Sequence, residues 1–122
     1  MELTEFFQSI IEQDPCEIVI CNTEHTIIYM NSAARRRYGN RSLVGKSILD
    51  CHNERSAKRI LEIVRWFSLD KEHNRVHTFY NEKEEKDVYM VALRQEQKEL
   101  IGYYEKHEYR KRDRSPLYLM ED

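Results

Sequence analysis

Cys51 and His52 stand side by side in the stretch CHNERSAKRI (51–60), just ahead of a run with helical spacing. A thiolate and an imidazole both ligate metals, and a neutral imidazole is a good ligand for iron. The same pair also suits a purely structural role. In that reading Cys51 packs inward, and His52 or Asn53 meets the free amides of the first helical turn. A third reading has an organic ligand touching the pair. A zinc site is weaker, because zinc usually takes four ligands and two adjacent residues supply them awkwardly. His25, His73, His77 and His107 show no ligand spacing that would complete such a site.

Glu105 is the other group with chemical interest. By strand alternation it shares a face with Ile101, Tyr103 and His107. If that face turns inward, Glu105 is a buried carboxylate in need of a partner. If it turns outward, Glu105 is an ordinary surface acid. Tyr80, Tyr89, Tyr103, Tyr104 and Tyr109 make the same region aromatic. A tyrosine joins a large apolar body to one hydroxyl, which suits an amphipathic pocket or a sheet packed on helices. Signals for catalysis are scarce. The three glycines are scattered, so no glycine-rich phosphate loop exists. No serine sits in a nucleophile motif. The expectation is a protein that is not an enzyme.

The bulk numbers fit that expectation. A chain of 122 residues suits one compact domain. A net charge of -2 gives no general attraction to nucleic acid or to acidic membranes. Arg35–Arg37 and the run KHEYRKRDR (106–114) are the basic clusters, and each reads as a solvated face before a nucleic-acid contact. No apolar run approaches the roughly 20 residues that span a bilayer. The opening MELTEFFQSIIEQ carries glutamates and no basic residue, unlike a signal peptide, so a cytoplasmic location is expected. Three cysteines, an odd number, argue against a disulfide framework. Cys16 and Cys21 are expected on one strand, about 16 Å apart and too far to bridge, as small core residues.

Several elements must position these groups. Leu3, Phe6, Phe7, Ile10 and Ile11 form one helical stripe, which Asp14-Pro15 ends. CEIVICN (16–22) and TIIYMN (26–31) read as a β-hairpin closed by the turn NTEH. Residues 33–37 suit a short helix stopped by Gly39, and SILDC (47–51) a helical turn. Ala57, Ile60, Leu61, Val64 and Phe67 repeat at three and four, predicting a helix over 53–67. RVHTFYN (75–81), DVYMVALR (87–94) and ELIGYYEKHEYR (99–110) read as a meander of three antiparallel strands. The tail holds Pro116 and LYLM (117–120), a candidate for docking back on the chain. The division is an N-terminal helix (1–13), a domain (14–110) and a tail (111–122). The class is α+β, a five-stranded antiparallel sheet with helices on one face.

In this order of elements the sequence resembles the PAS domain over about residues 14–110. IVICNTEHTIIYMNSAA (18–34) is similar to the family's opening hairpin, with Asn31 at the asparagine that starts the first short helix. GKSIL (45–49) looks like the segment leading to the long helix, and ELIGYYEKHEY like the last strand with its early glycine, Gly102. The Cys51–His52 pair resembles PAS modules of bacterial DUF438 proteins and small stand-alone PAS proteins of Gram-positive bacteria. The sequence departs from the family at 107–109, where His-Glu-Tyr replaces the frequent Asp-Ile-Thr. The flavin-attaching cysteine motif is missing, so flavin is not expected.

The resemblance implies a sensory or interaction module with a ligand cavity between the long helix and the sheet. Candidate lining residues are Ile20, Ile28, Met30, Tyr38, Cys51, His52, Ile60, Val64, Phe79, Tyr89, Val91, Tyr103 and Glu105. Some members hold haem in that cavity, and His52 is the candidate ligand, off the usual position because it precedes the helix. The cofactor is otherwise unknown. The N-terminal stripe, with Phe6, Phe7 and Ile10, would make a homodimer. No kinase, cyclase or DNA-binding unit follows, so a signal would pass to a protein partner not known from the sequence. A small-molecule ligand is expected, and neither nucleic acid nor membrane.

Overall fold

The computed structural model describes residues 2–119. Pro15 sets the first boundary. Helix α1 (Leu3–Gln13) ends at Asp14, whose ψ of 126° is the extended value that a following proline imposes. None of its residues is buried, and Phe6, Phe7 and Ile10 are all more than half exposed.

Strand β1 (Val19–Asn22) starts three residues later than expected. Asn31 is the reason. Its Nδ2 donates to Cys16 O at 2.9 Å and its Oδ1 accepts from Ile18 N at 3.0 Å, so the approach to the strand is held by a side chain. Cys16 is therefore half-buried outside the strand, while Cys21 is fully buried inside it, and the two share no strand. Asn22 Oδ1 accepts from Glu24 N and Thr26 N and closes the turn to β2 (Ile27–Met30).

Asn31 also caps α2 (Ser32–Arg37), accepting from Ala34 N. Gly39, at φ 73°, takes the left-handed conformation that stops it. A 3₁₀ turn (Ile48–Cys51) leads to α3 (Glu54–Leu69), and Asn53 caps α3 by accepting from Ser56 N at 2.8 Å. Helix α3 runs two residues beyond Phe67. Its end is held from across the fold: the Arg94 guanidinium donates to Phe67 O, Asp70 O and His73 O.

Strands β3 (Arg75–Asn81), β4 (Lys86–Arg94) and β5 (Leu100–Tyr109) form the meander. The sheet order is β2-β1-β5-β4-β3, antiparallel throughout. The β1–β5 pair joins the hairpin to the meander, with Cys21 opposite Tyr103. Gly102 makes that junction possible, because a Cβ there would overlap the Cys21 carbonyl. Ile60, Val64 and Phe67 of α3 pack on Cys21, Ile27, Met30, Met90 and Tyr103. Burying such side chains is the main stabilising force, about 1.5–3 kcal/mol each. The tail does not dock: Leu117, Tyr118 and Leu119 are each 85% exposed, and Met120 lies outside the described residues.

Candidate ligand-binding site

A cavity of about 210 Å³ lies under α3, against the inner face of the sheet. Strand alternation builds its walls. Val19 and Cys21 project from β1, Lys86 and Met90 from β4, and Tyr103, Glu105 and His107 from β5. On β3 a bulge at Thr78 shifts the alternation by one, which brings Phe79 and Asn81 to the cavity. Ile60 of α3, Ile48 of the 3₁₀ turn, His52 just after that turn, and Tyr38 after α2 close the other side. The result is two-ended: apolar toward Cys21 and Ile60, charged toward Glu17, Arg37, Lys86 and His107, with Glu105 in register between Val19 and Met90 where the two meet.

The charged end is largely self-paired. Arg37 grips Glu84 with two hydrogen bonds of 2.9 and 3.1 Å, and that contact pulls the Glu84 carboxyl down to about 2. Lys86 is 2% exposed, and its Nζ lies 3.3 Å from Glu84 Oε2 and 3.8 Å from Glu17 Oε2. A buried ammonium is tolerated only with such partners. Lys86 Nζ also donates to the Tyr109 hydroxyl, which in turn donates to Glu17 at 3.0 Å. His107 Nε2 lies 3.0 Å from Glu105 Oε1, and Nδ1 is buried without a hydrogen-bond partner, 3.7 Å from Glu17 Oε2. At the apolar end the Tyr103 hydroxyl meets His25 Nδ1 at 2.8 Å.

Of the residues expected at the cavity, Tyr38, His52, Ile60, Phe79, Tyr103 and Glu105 line it. The others lie elsewhere for local reasons. Ile20 sits between Val19 and Cys21 and so faces the opposite side of the sheet. Ile28 is half exposed, because the bulge between Ile20 and Cys21 sends Ile27 and Met30 inward instead. Met30 is used up in the core, where its sulfur accepts from Leu43 N. Val64 packs in the same core one turn along α3 from Ile60. Tyr89 and Val91 occupy the outer face of β4, where Arg75 stacks on the Tyr89 ring at 4.0 Å. Cys51 does not pack inward: it is exposed, its thiol facing Ser47 O at 3.7 Å. The helix-entry role falls to Asn53.

Glu17, Val19, Cys21, Arg37, Ile48, Asn81, Lys86, Met90 and His107 complete the lining without having been expected there. Val19, Cys21, Asn81 and His107 carry a signal, since each stands two residues from another lining residue of its strand. Lys86 and Arg37 carry none, because their pairing depends on Glu84 and Glu17 from distant parts of the chain.

A haem does not fit. An apolar cavity of about 150 Å³ holds one benzene ring, and a tetrapyrrole has four rings plus its substituents. Among the described residues no three His, Cys, Asp or Glu side chains converge on a metal-sized site. Within the basic clusters Arg35 pairs with Glu12, Arg37 with Glu84, Lys106 with Glu108, and Arg110 with Asp87 and Glu108, while Arg36, Lys111, Arg112 and Arg114 form no ion pair among the described residues. No described helix is long and apolar enough to cross a membrane.

No family model and no curated protein matches the sequence. Solved structures do match in fold. The PAS domain of a Colwellia psychrerythraea protein superposes with a TM-score of 0.65 at 13% identity, over 88% of this chain and 97% of that one. The PAS domain of Bordetella pertussis BvgS gives 0.62 at 17% identity, over 92% and 88%. A C-terminal domain from Streptococcus mutans gives 0.67 at 19% identity, over 87% and 84%. The chain has the PAS fold. These likenesses do not extend to the narrower resemblance with DUF438-associated modules.

Proposed function

We propose that this chain is a sensory PAS module that binds a small molecule under α3 and passes the signal through dimer or partner contacts. The observation that carries this reading is the cavity of about 210 Å³, bounded by α3 and by four strands of the sheet. A ligand there touches Ile60 on the helix and Val19, Met90 and Tyr103 on the sheet. Differential affinity for two helix–sheet arrangements then biases their populations. One wall also leads out of the cavity. Glu17 lies in the connection between α1 and β1, and Asn31 ties that connection to α1.

The apolar face of α1 is the natural exit for the signal. Leu3, Phe6, Phe7 and Ile10 are 63, 54, 55 and 68% exposed, a contiguous patch of the kind that marks an interface. A second copy of this chain would cover it. The cavity's polar groups pair with one another instead of forming a nucleophile–base relay, which favours a binding module over an enzyme. A cytoplasmic, bacterial setting goes with this reading.

Native mass spectrometry of freshly purified protein tests both halves. A dimer carrying a small adduct is expected, with Phe6→Asp shifting the mass to a monomer. A monomeric, unmodified mass for wild type and variant alike rejects the reading.

A further inference from the structure

We infer that the cavity selects a one-ring amine, with its ring at the apolar end and its ammonium on Glu105. This rests on the sensory reading above and adds the class of ligand. Size comes first. At about 210 Å³ the cavity exceeds the roughly 150 Å³ that holds a benzene ring by enough for a short substituent. Val19, Cys21, Ile60 and Met90 supply the apolar wall for the ring.

Charge decides the substituent. Both cations at the polar end are already engaged: Arg37 is forked onto Glu84, and buried Lys86 lies among Glu84, Glu17 and the Tyr109 hydroxyl. A carboxylate ligand would have to displace one of these pairs while facing Glu17 and Glu105. Glu105 differs from the other two acids. Its side chain is 39% exposed, and one oxygen lies 3.0 Å from His107, with no hydrogen bond reaching the other oxygen among the described residues. Three carboxylates, Glu17, Glu84 and Glu105, thus face two permanent cations, with the His107 ring between Glu105 and Glu17; where that ring is neutral, one negative charge is left over, and Glu105 is the carboxylate that fronts the cavity. An ammonium is the substituent that balances it, as a charge-assisted hydrogen bond.

Four matched probes test this: benzene, benzylamine, benzyl alcohol and benzoate, titrated into the whole chain while the methyl NMR signals of Val19, Ile60 and Met90 are followed. Benzylamine is expected to bind about ten-fold tighter than benzoate, the effect of one favourable charge contact against one unfavourable. Benzyl alcohol should fall between them. Glu105→Gln is expected to bring amine and benzoate within about two-fold while leaving benzene unchanged. Benzoate binding as tightly as benzylamine to the wild type overturns the amine assignment and leaves the cavity reading standing. Failure of all four probes to shift these methyls overturns both. The wild-type comparison decides the matter even if the variant folds poorly.

Discussion

The side-chain amide of Asn31 donates to Ile11 O at 3.0 Å, joining the start of α2 to the last turn of α1. The same amide donates to Asp14 O and Cys16 O, and its oxygen accepts from Ile18 N and Ala34 N. Asn31 is fully buried, and without it Ile18 N and Ala34 N lose their acceptor, while Ile11 O keeps Asp14 N. Removing a partner from buried donors and acceptors costs about 1–3 kcal/mol for each group left unsatisfied.

Asn31→Ala is therefore expected to destabilise the chain by about 2–4 kcal/mol in urea unfolding. Hydrogen exchange should rise most at residues 11–18, where the connection to α1 loses its fastener. A loss under about 0.5 kcal/mol, or exchange unchanged there, would show that α1 is held by other contacts.

His25 gives a pH dependence of known sign. Burial holds its imidazole below the ordinary value, and it contacts the buried Tyr103 hydroxyl. Above the ordinary pKa, near 6.5, neither folded nor unfolded chain protonates this ring. As pH falls through that value, the unfolded chain takes up the proton first, and stability declines until the folded ring titrates too. His25 has φ 66°, which asparagine also tolerates. Hence His25→Asn should lose less stability than wild type between about pH 7.5 and pH 5. Equal losses in chemical denaturation would contradict this.

The cysteines should react in a set order. Cys51 is exposed, whereas Cys21 is 2% exposed and burial pushes its thiol up to about 11. The thiolate is the nucleophile, so a disulfide reagent near neutral pH should label Cys51 first and Cys21 only on global unfolding. Cys16, half-buried and with its thiol also raised, should fall between. Cys21 labelled as fast as Cys51 in the folded chain would refute the placement of β1.

Much of this fold is legible in the residues. Asp14-Pro15, the 3.6-residue repeat of 53–67 and the three β-rich runs after Arg75 locate the elements, and their order resembles the PAS arrangement. The site is less legible, for two physical reasons. Alternation along 87–94 is plain, but both faces are apolar, so Tyr89 and Val91 look as fit for the cavity as Val88 and Met90. The bulges at Thr78 and between Ile20 and Cys21 then shift the register without a strong local signal, and Ile28 falls outside as a result. Long-range polar contacts are hidden altogether. Nothing near Arg94 announces that it caps α3, and nothing near Lys86 announces that it is buried.

The central claim is that the space between α3 and the sheet admits a small molecule. Benzene carries no charge, so it tests the space apart from the class of ligand. Nuclear Overhauser effects between bound benzene and the methyls of Val19, Ile60 and Met90 measure this directly. Cross-peaks to all three, lost when Ile60→Trp fills the cavity, are the expected result. Saturating benzene with no cross-peak to any of them would show the core closed and contradict the account.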